Sequence, residues 1–107
     1  MWFPAPDESL WIGLLRLKLI VPGSRSLKDK RKAIAQVRER VRSRLQLSIS
    51  EIGHLEDPRH AVMAIAMVGG DQKFIRARLD SLLYDIESWG RVVIHTHELN
   101  VFRPTPD

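Results

Sequence analysis

One order of elements occurs twice in this chain, and it constrains the fold more than any other feature: a strand, a glycine break, then a capped helix. Trp11 to Val21 alternates in character. Trp11, Gly13, Leu15, Leu17, Leu19 and Val21 share one side of a strand, while Arg16 and Lys18 point to the other. Pro22-Gly23 ends the strand. Ser26 stands as an N-cap, and Asp29 three residues on completes a capping-box pattern. Leu27, Ile34, Val37, Val41 and Leu45 follow at helical spacing and form an apolar stripe. In the second round, Ala61 to Val68 is an apolar run of strand length, Gly69-Gly70 breaks it, and Asp71 caps a helix. Ile75, Leu79, Leu82, Ile86 and Trp89 give that helix its stripe, and Gly90 fits the C′ position.

Between the two rounds, Leu47 to Ile52 is short and β-rich, and Gly53 to Arg59 reads as a hairpin loop. Val92 to Val101 is a last strand. The sum is β-α-β-β-α-β. Right-handed crossovers place both helices on one face of a four-stranded antiparallel sheet, an α+β, ferredoxin-like plait. In that plait Trp11–Val21 and Ala61–Val68 are the central, paired strands. Residues 10–103 are expected to form a single domain, large enough to bury a core without staples. Pro4 and Pro6 mark residues 1–9 as a flexible tail to which Trp2 and Phe3 add docking groups, and Pro104 and Pro106 end the order in a C-terminal tail, residues 104–107.

The charge is concentrated. Residues 25 to 44 hold nine Lys/Arg and two acids, Asp29 and Glu39, a net +7. The whole chain is +4, so the rest sums to −3. A concentrated charge can meet a polyanion where a diffuse one tunes solubility. With Ile34, Val37 and Val41 inward, Lys28, Arg31, Lys32, Arg38 and Arg42 lie on the outward side, and Lys30, Arg40 and Arg44 nearer its flanks. Like charges at i,i+4 (Lys28–Lys32, Arg38–Arg42) oppose helix formation by ~0.2–0.5 kcal/mol each. A solvated helix face, or one paired with acids elsewhere, is the plainer account and carries about equal weight.

The remaining chemistry is sparse. There is no cysteine, hence no disulfide, thiol nucleophile or Cys-based zinc site. The N-terminus lacks the charged and apolar regions of a signal peptide, and no apolar run can span a bilayer, so a cytoplasmic protein without a membrane partner is expected. His95 and His97 share one face of the last strand by alternation, and His54 and His60 flank the hairpin loop with Glu56 and Asp57. A zinc site would still need a third ligand and a second shell. Gly69-Gly70-Asp71 lacks the GxGxxG and GxxxxGK[ST] spacings, and Asp71 would repel phosphate. No catalytic residue, metal or cofactor is expected. Arg16 and Lys18 share the open face of the sheet with Ile12, Leu14 and Ile20. That face lacks the paired aromatics on which sheet readers of RNA stack bases, so burial against a second subunit is the more economical account.

Three segments resemble the YlxP-like family of small uncharacterised bacterial proteins (domain of unknown function 503). Ser24-Arg25-Ser26-Leu27-Lys28-Asp29-Lys30-Arg31 is similar to that family's S-R-S-L-K-E-K-R, with Asp29 for the usual Glu. Ser48-Ile49-Ser50-Glu51-Ile52 resembles its S-V-A-E-V, and Gly70-Asp71 precedes the second helix as there. The likeness covers roughly residues 11 to 101; the N-terminal tail lies outside it. It implies a ferredoxin-like fold, no established catalytic residues, and an association with gene neighbourhoods devoted to translation and ribosome assembly.

These readings converge on a non-enzymatic binding protein that uses its basic first helix on RNA or a ribosomal particle. The candidate contacts are Arg25, Lys28, Lys30, Arg31, Lys32, Arg38 and Arg42, with Arg16 and Lys18 on the sheet. The competing expectation is a small-molecule-binding or regulatory domain, working as a homodimer through its open sheet.

Overall fold

The computed structural model describes residues 4–44 and 46–104. Six elements follow in the order expected: β1 (Trp11–Ile20), α1 (Leu27–Arg42), β2 (Leu47–Gly53), β3 (His60–Gly69), α2 (Gln72–Ser88) and β4 (Val93–Phe102). The sheet order is β2-β3-β1-β4 with every pair antiparallel, so β1 and β3 are central. α1 packs over β2, and α2 over β1, β3 and β4. This is the α+β ferredoxin-like plait.

The alternation in β1 has a direct structural counterpart. Gly13, Leu15, Leu17 and Leu19 are buried toward the helices, and Leu14 and Arg16 are exposed on the open face. From the helices, Ile34, Val37, Val41, Ile75, Leu79, Leu82 and Ile86 meet them in one core. Leu45 lies outside the described residues, as do Trp2 and Phe3.

Both helix starts are capped by side chains. Ser26 Oγ accepts the Asp29 N–H at 3.1 Å. The Asp29 carboxylate reaches back to the Arg25 N–H at 3.1 Å, one residue before the N-cap, a capping box displaced by one position. Asp71 accepts the N–H groups of Lys73 and Phe74. After α2, Gly90 takes φ +74°, the left-handed geometry that a C′ glycine supplies at least cost.

Simple alternation fails in β4. Thr96 pairs with Lys18, but Ile94 pairs with Leu19, so His95 is an extra residue in a bulge. C-terminal to it, His97, Leu99 and Val101 lie opposite Leu17, Leu15 and Gly13, on the helix side; beyond the bulge Ile94 takes that side. The bulge explains why apolar residues occur at both parities. His95 and His97 therefore do not share a face by strand alternation.

The register places Ile20 opposite both His60 and Val93. The start of α1, the loop between β2 and β3, and the turn after α2 thus meet at one end of the sheet.

Candidate nucleic-acid interface

The first turns of α1 bring Lys28, Arg31 and Lys32 to the solvent, and the helix continues outward through half-buried Arg38 and exposed Arg42. Arg25, just before the N-cap, is exposed as well. Among the described residues none of these six cations makes an ion pair. The i,i+4 repulsions along the helix are not relieved by acids from neighbouring elements. Burial of Ile34, Val37 and Val41 compensates them: each fully buried aliphatic side chain stabilises by roughly 1.5–3 kcal/mol.

The expectation for Lys30 is overturned. Its side chain is 0% exposed, and its ammonium is enclosed. Nζ donates to the carbonyls of His54 at 2.7 Å and His60 at 3.0 Å, with Leu55 O at 3.4 Å, and lies 3.0 Å from Glu51 Oε2. The last contact is an ion pair without aligned hydrogen-bond geometry. A buried ammonium is tolerated only when paired and hydrogen-bonded, and all of that is supplied here. Lys30 therefore cannot touch a ligand at the surface. It ties α1 to β2 and to the β2–β3 loop. Two of the three segments that carry the family resemblance, Ser24–Arg31 and Ser48–Ile52, meet in this ion pair.

Two more cations, Arg40 of α1 and Arg44 just after it, are also occupied. Arg44 pairs with Asp85 of α2 at 2.8 Å. The guanidinium groups of Arg40 and Arg44 lie 5.4 and 5.8 Å from the centre of the Trp89 ring, a cation–π arrangement joining the helix ends. The outward set thus reduces to Arg25, Lys28, Arg31, Lys32, Arg38 and Arg42.

Arg16 and Lys18 are on the opposite face of the sheet from the helices, and the structure does not bring them to α1. Arg16 is engaged by Glu98 across the β1–β4 pair at 2.9 Å. Around it the open face exposes Leu14 by 42% and Val68 by 56%.

Two further arginines flank α1 that sequence reasoning did not single out. Arg59, in the β2–β3 loop, lines a cleft with Pro22, Ser24 and Arg25. Arg91, after α2, lies along α1 beside Gln36, Glu39 and Arg40. Neither has a local sequence signal; the plait topology delivers both to the same end of the sheet.

The histidines are dispersed. His54 and His60 stand with ring centres 6.1 Å apart, and His60 contacts Asp57 at 3.1 Å. The Arg59 N–H donated to the Asp57 carboxylate, aided by the His60 N–H and ring, holds its pKa down to about 2. Among the described residues no three His, Asp or Glu side chains gather as a metal site. No described helix is long and apolar enough to cross a membrane.

Comparison with known proteins adds a family. A search of curated proteins finds no match. Among solved structures, the de novo designed protein Foldit4 is similar over 92% of this chain and 100% of its own, at 14% identity and a TM-score of 0.48. SnoaB, a cofactor-independent oxygenase from Streptomyces nogalater, is similar over 91% of this chain and 95% of its own, at 13% identity and a TM-score of 0.47. LarC2, the C-terminal domain of a cyclometallase, is similar over 91% of this chain and 58% of its own, at 7% identity and a TM-score of 0.46. Likenesses this distant say nothing of activity. The family described as "Protein of unknown function (DUF503)" matches residues 12–99, which include α1, the buried Lys30–Glu51 pair and the sheet from Ile12 of β1 to Leu99 of β4, and the chain belongs to that family.

Proposed function

We propose that this chain is a non-enzymatic binding protein that meets the phosphate backbone of RNA, free or within a ribosomal particle, through the outer face of α1. The observation that carries the reading is the set Arg25, Lys28, Arg31, Lys32, Arg38 and Arg42, which make no ion pair among the described residues, on a helix whose other side is committed to the core. The likeness of Ser24–Arg31 to the YlxP-like signature, and the translation-related setting it implies, supports the same reading. Recognition of this kind follows phosphate spacing and shape, because phosphate contacts carry no base information. Each contact releases counterions, so affinity falls steeply with salt.

Reversing Lys28, Arg31 and Lys32 to Glu tests it. Exposed changes move stability by only about ±0.5 kcal/mol each, so folding is retained. Filter binding of ribosomal RNA at several salt concentrations should give a steep dependence of log affinity on log salt for wild type. The triple variant should bind far more weakly and with a flatter slope. Wild type that shows no salt-dependent binding defeats the proposal.

The open sheet supports a second reading, a homodimeric regulatory or small-molecule-binding domain. Leu14 and Val68 stand exposed on the central strands, and neither helix is available to cover them.

A further inference from the structure

The β2–β3 loop is fastened to the start of α1 by contacts that converge from three sides. Ser24 Oγ donates to Pro58 O at 2.6 Å, and the Val21 N–H donates to Arg59 O at 2.8 Å. Arg59 Nε donates to Ser24 O at 3.3 Å, which sets its guanidinium beside Arg25. From beneath, the Lys30 ammonium gathers the carbonyls of His54, Leu55 and His60. Within the loop His54 takes φ +56°, a left-handed conformation uncommon among non-glycine residues.

We infer that this corner is a second phosphate contact, formed by Arg59 with Arg25 and held in position by the buried Lys30–Glu51 pair; the inference rests on the RNA reading above. Nε of Arg59 is spent on Ser24, while its two terminal nitrogens have no partner among the described residues. An arginine so placed presents a planar pair of donors suited to a phosphate. Together with Arg25 it lines a cleft of about 400 Å³. The Arg25 and Asp29 amides are already taken, by the Asp29 carboxylate and the Ser26 hydroxyl respectively, so the contact is made by the two guanidinium groups.

The loop also carries Glu56 and Asp57, so this corner would not gather free anions. A phosphate arrives there as part of a polymer already anchored on Lys28, Arg31 and Lys32. The partner's backbone therefore bends around the start of α1 rather than running straight along it. Lys30 acts as a positioning residue: it touches no ligand, yet it fixes the loop that carries Arg59.

The experiment is a double-mutant cycle read by filter binding of ribosomal RNA across salt concentrations. Arg59→Ala should leave folding intact and lower the salt slope by roughly 0.7–0.9, the share of one phosphate contact. On a Lys30→Met/Glu51→Gln background, Arg59→Ala should cost less, because the loop then keeps only its ties to Val21 and Ser24. Glu51→Gln alone, which keeps the carbonyl contacts of Lys30, is the control in which Arg59→Ala should still cost its full share. If Arg59→Ala leaves the slope unchanged while the Lys28, Arg31 and Lys32 reversal flattens it, this inference fails and the RNA reading stands. If Arg59→Ala costs the same with and without Lys30, the positioning role of Lys30 is overturned. If wild type does not bind, the underlying reading falls.

Discussion

Lys30→Met is the sharpest perturbation the fold offers. Methionine is close to lysine in length and apolar, so it fills the same space and leaves chemistry as the main difference. The lysine makes contacts at 2.7, 3.0 and 3.0 Å with two carbonyls and one carboxylate, plus a longer one to Leu55 O. Removing one partner of a buried ion pair leaves the other charge uncompensated and costs about 3–5 kcal/mol. The Glu51 side chain is 13% exposed, so water can reach it in part, which puts the expected loss toward the lower end of that range. Adding Glu51→Leu should restore much of the loss, since apolar replacement of a whole buried pair is often neutral or better. Urea unfolding at neutral pH measures both, with exposed Lys28→Met expected within about ±0.5 kcal/mol as the contrast. A Lys30→Met loss below about 0.5 kcal/mol would show that the ammonium is not held as described.

Three further outcomes are expected. Gly13→Ala should destabilise by about 1–3 kcal/mol in urea unfolding, because a Cβ there would stand 2.6 Å from Leu79 Cδ1 and also press on Ile75; an unchanged midpoint would mean that α2 sits farther from β1. Asp57 has its pKa lowered from 3.8 to about 2 in the fold, so the stability it contributes is present above about pH 4 and is lost as pH falls toward 2. Asp57→Asn should remove that part of the acid dependence, and identical acid unfolding curves would contradict it. Sedimentation equilibrium at micromolar concentration should reveal self-association through the open sheet, weakened by Leu14→Lys; a clean monomer refutes it.

The main lines of the fold were legible because they rest on local chemistry. Caps at Ser26 and Asp71, the alternation through Leu15, Leu17 and Leu19, and the stripe Ile75–Leu79–Leu82–Ile86 each state their geometry within one element. The last strand was harder, because a bulge reverses parity at His95 and no alternation pattern signals an inserted residue. In the candidate interface, Lys30 was misread although a signal existed. It stands four residues before Ile34, seven before Val37 and eleven before Val41, on the apolar stripe itself. Glu51 shares the inward parity of Leu47 and Ile49. A lysine on one buried face and an acid on another are a pair in waiting. Arg59 and Arg91 had no such signal, because they reach α1 only through tertiary structure.

The central claim is that RNA is met by the outer face of α1, and the most direct measurement is a map of backbone amide shifts by NMR as ribosomal RNA fragments are added at low salt. The account predicts shifts that cluster at Lys28, Arg31, Lys32, Arg38 and Arg42, vanish as salt is raised, and leave Leu14, Arg16 and Lys18 unmoved. Shifts confined to the open sheet, or none at all, would contradict it.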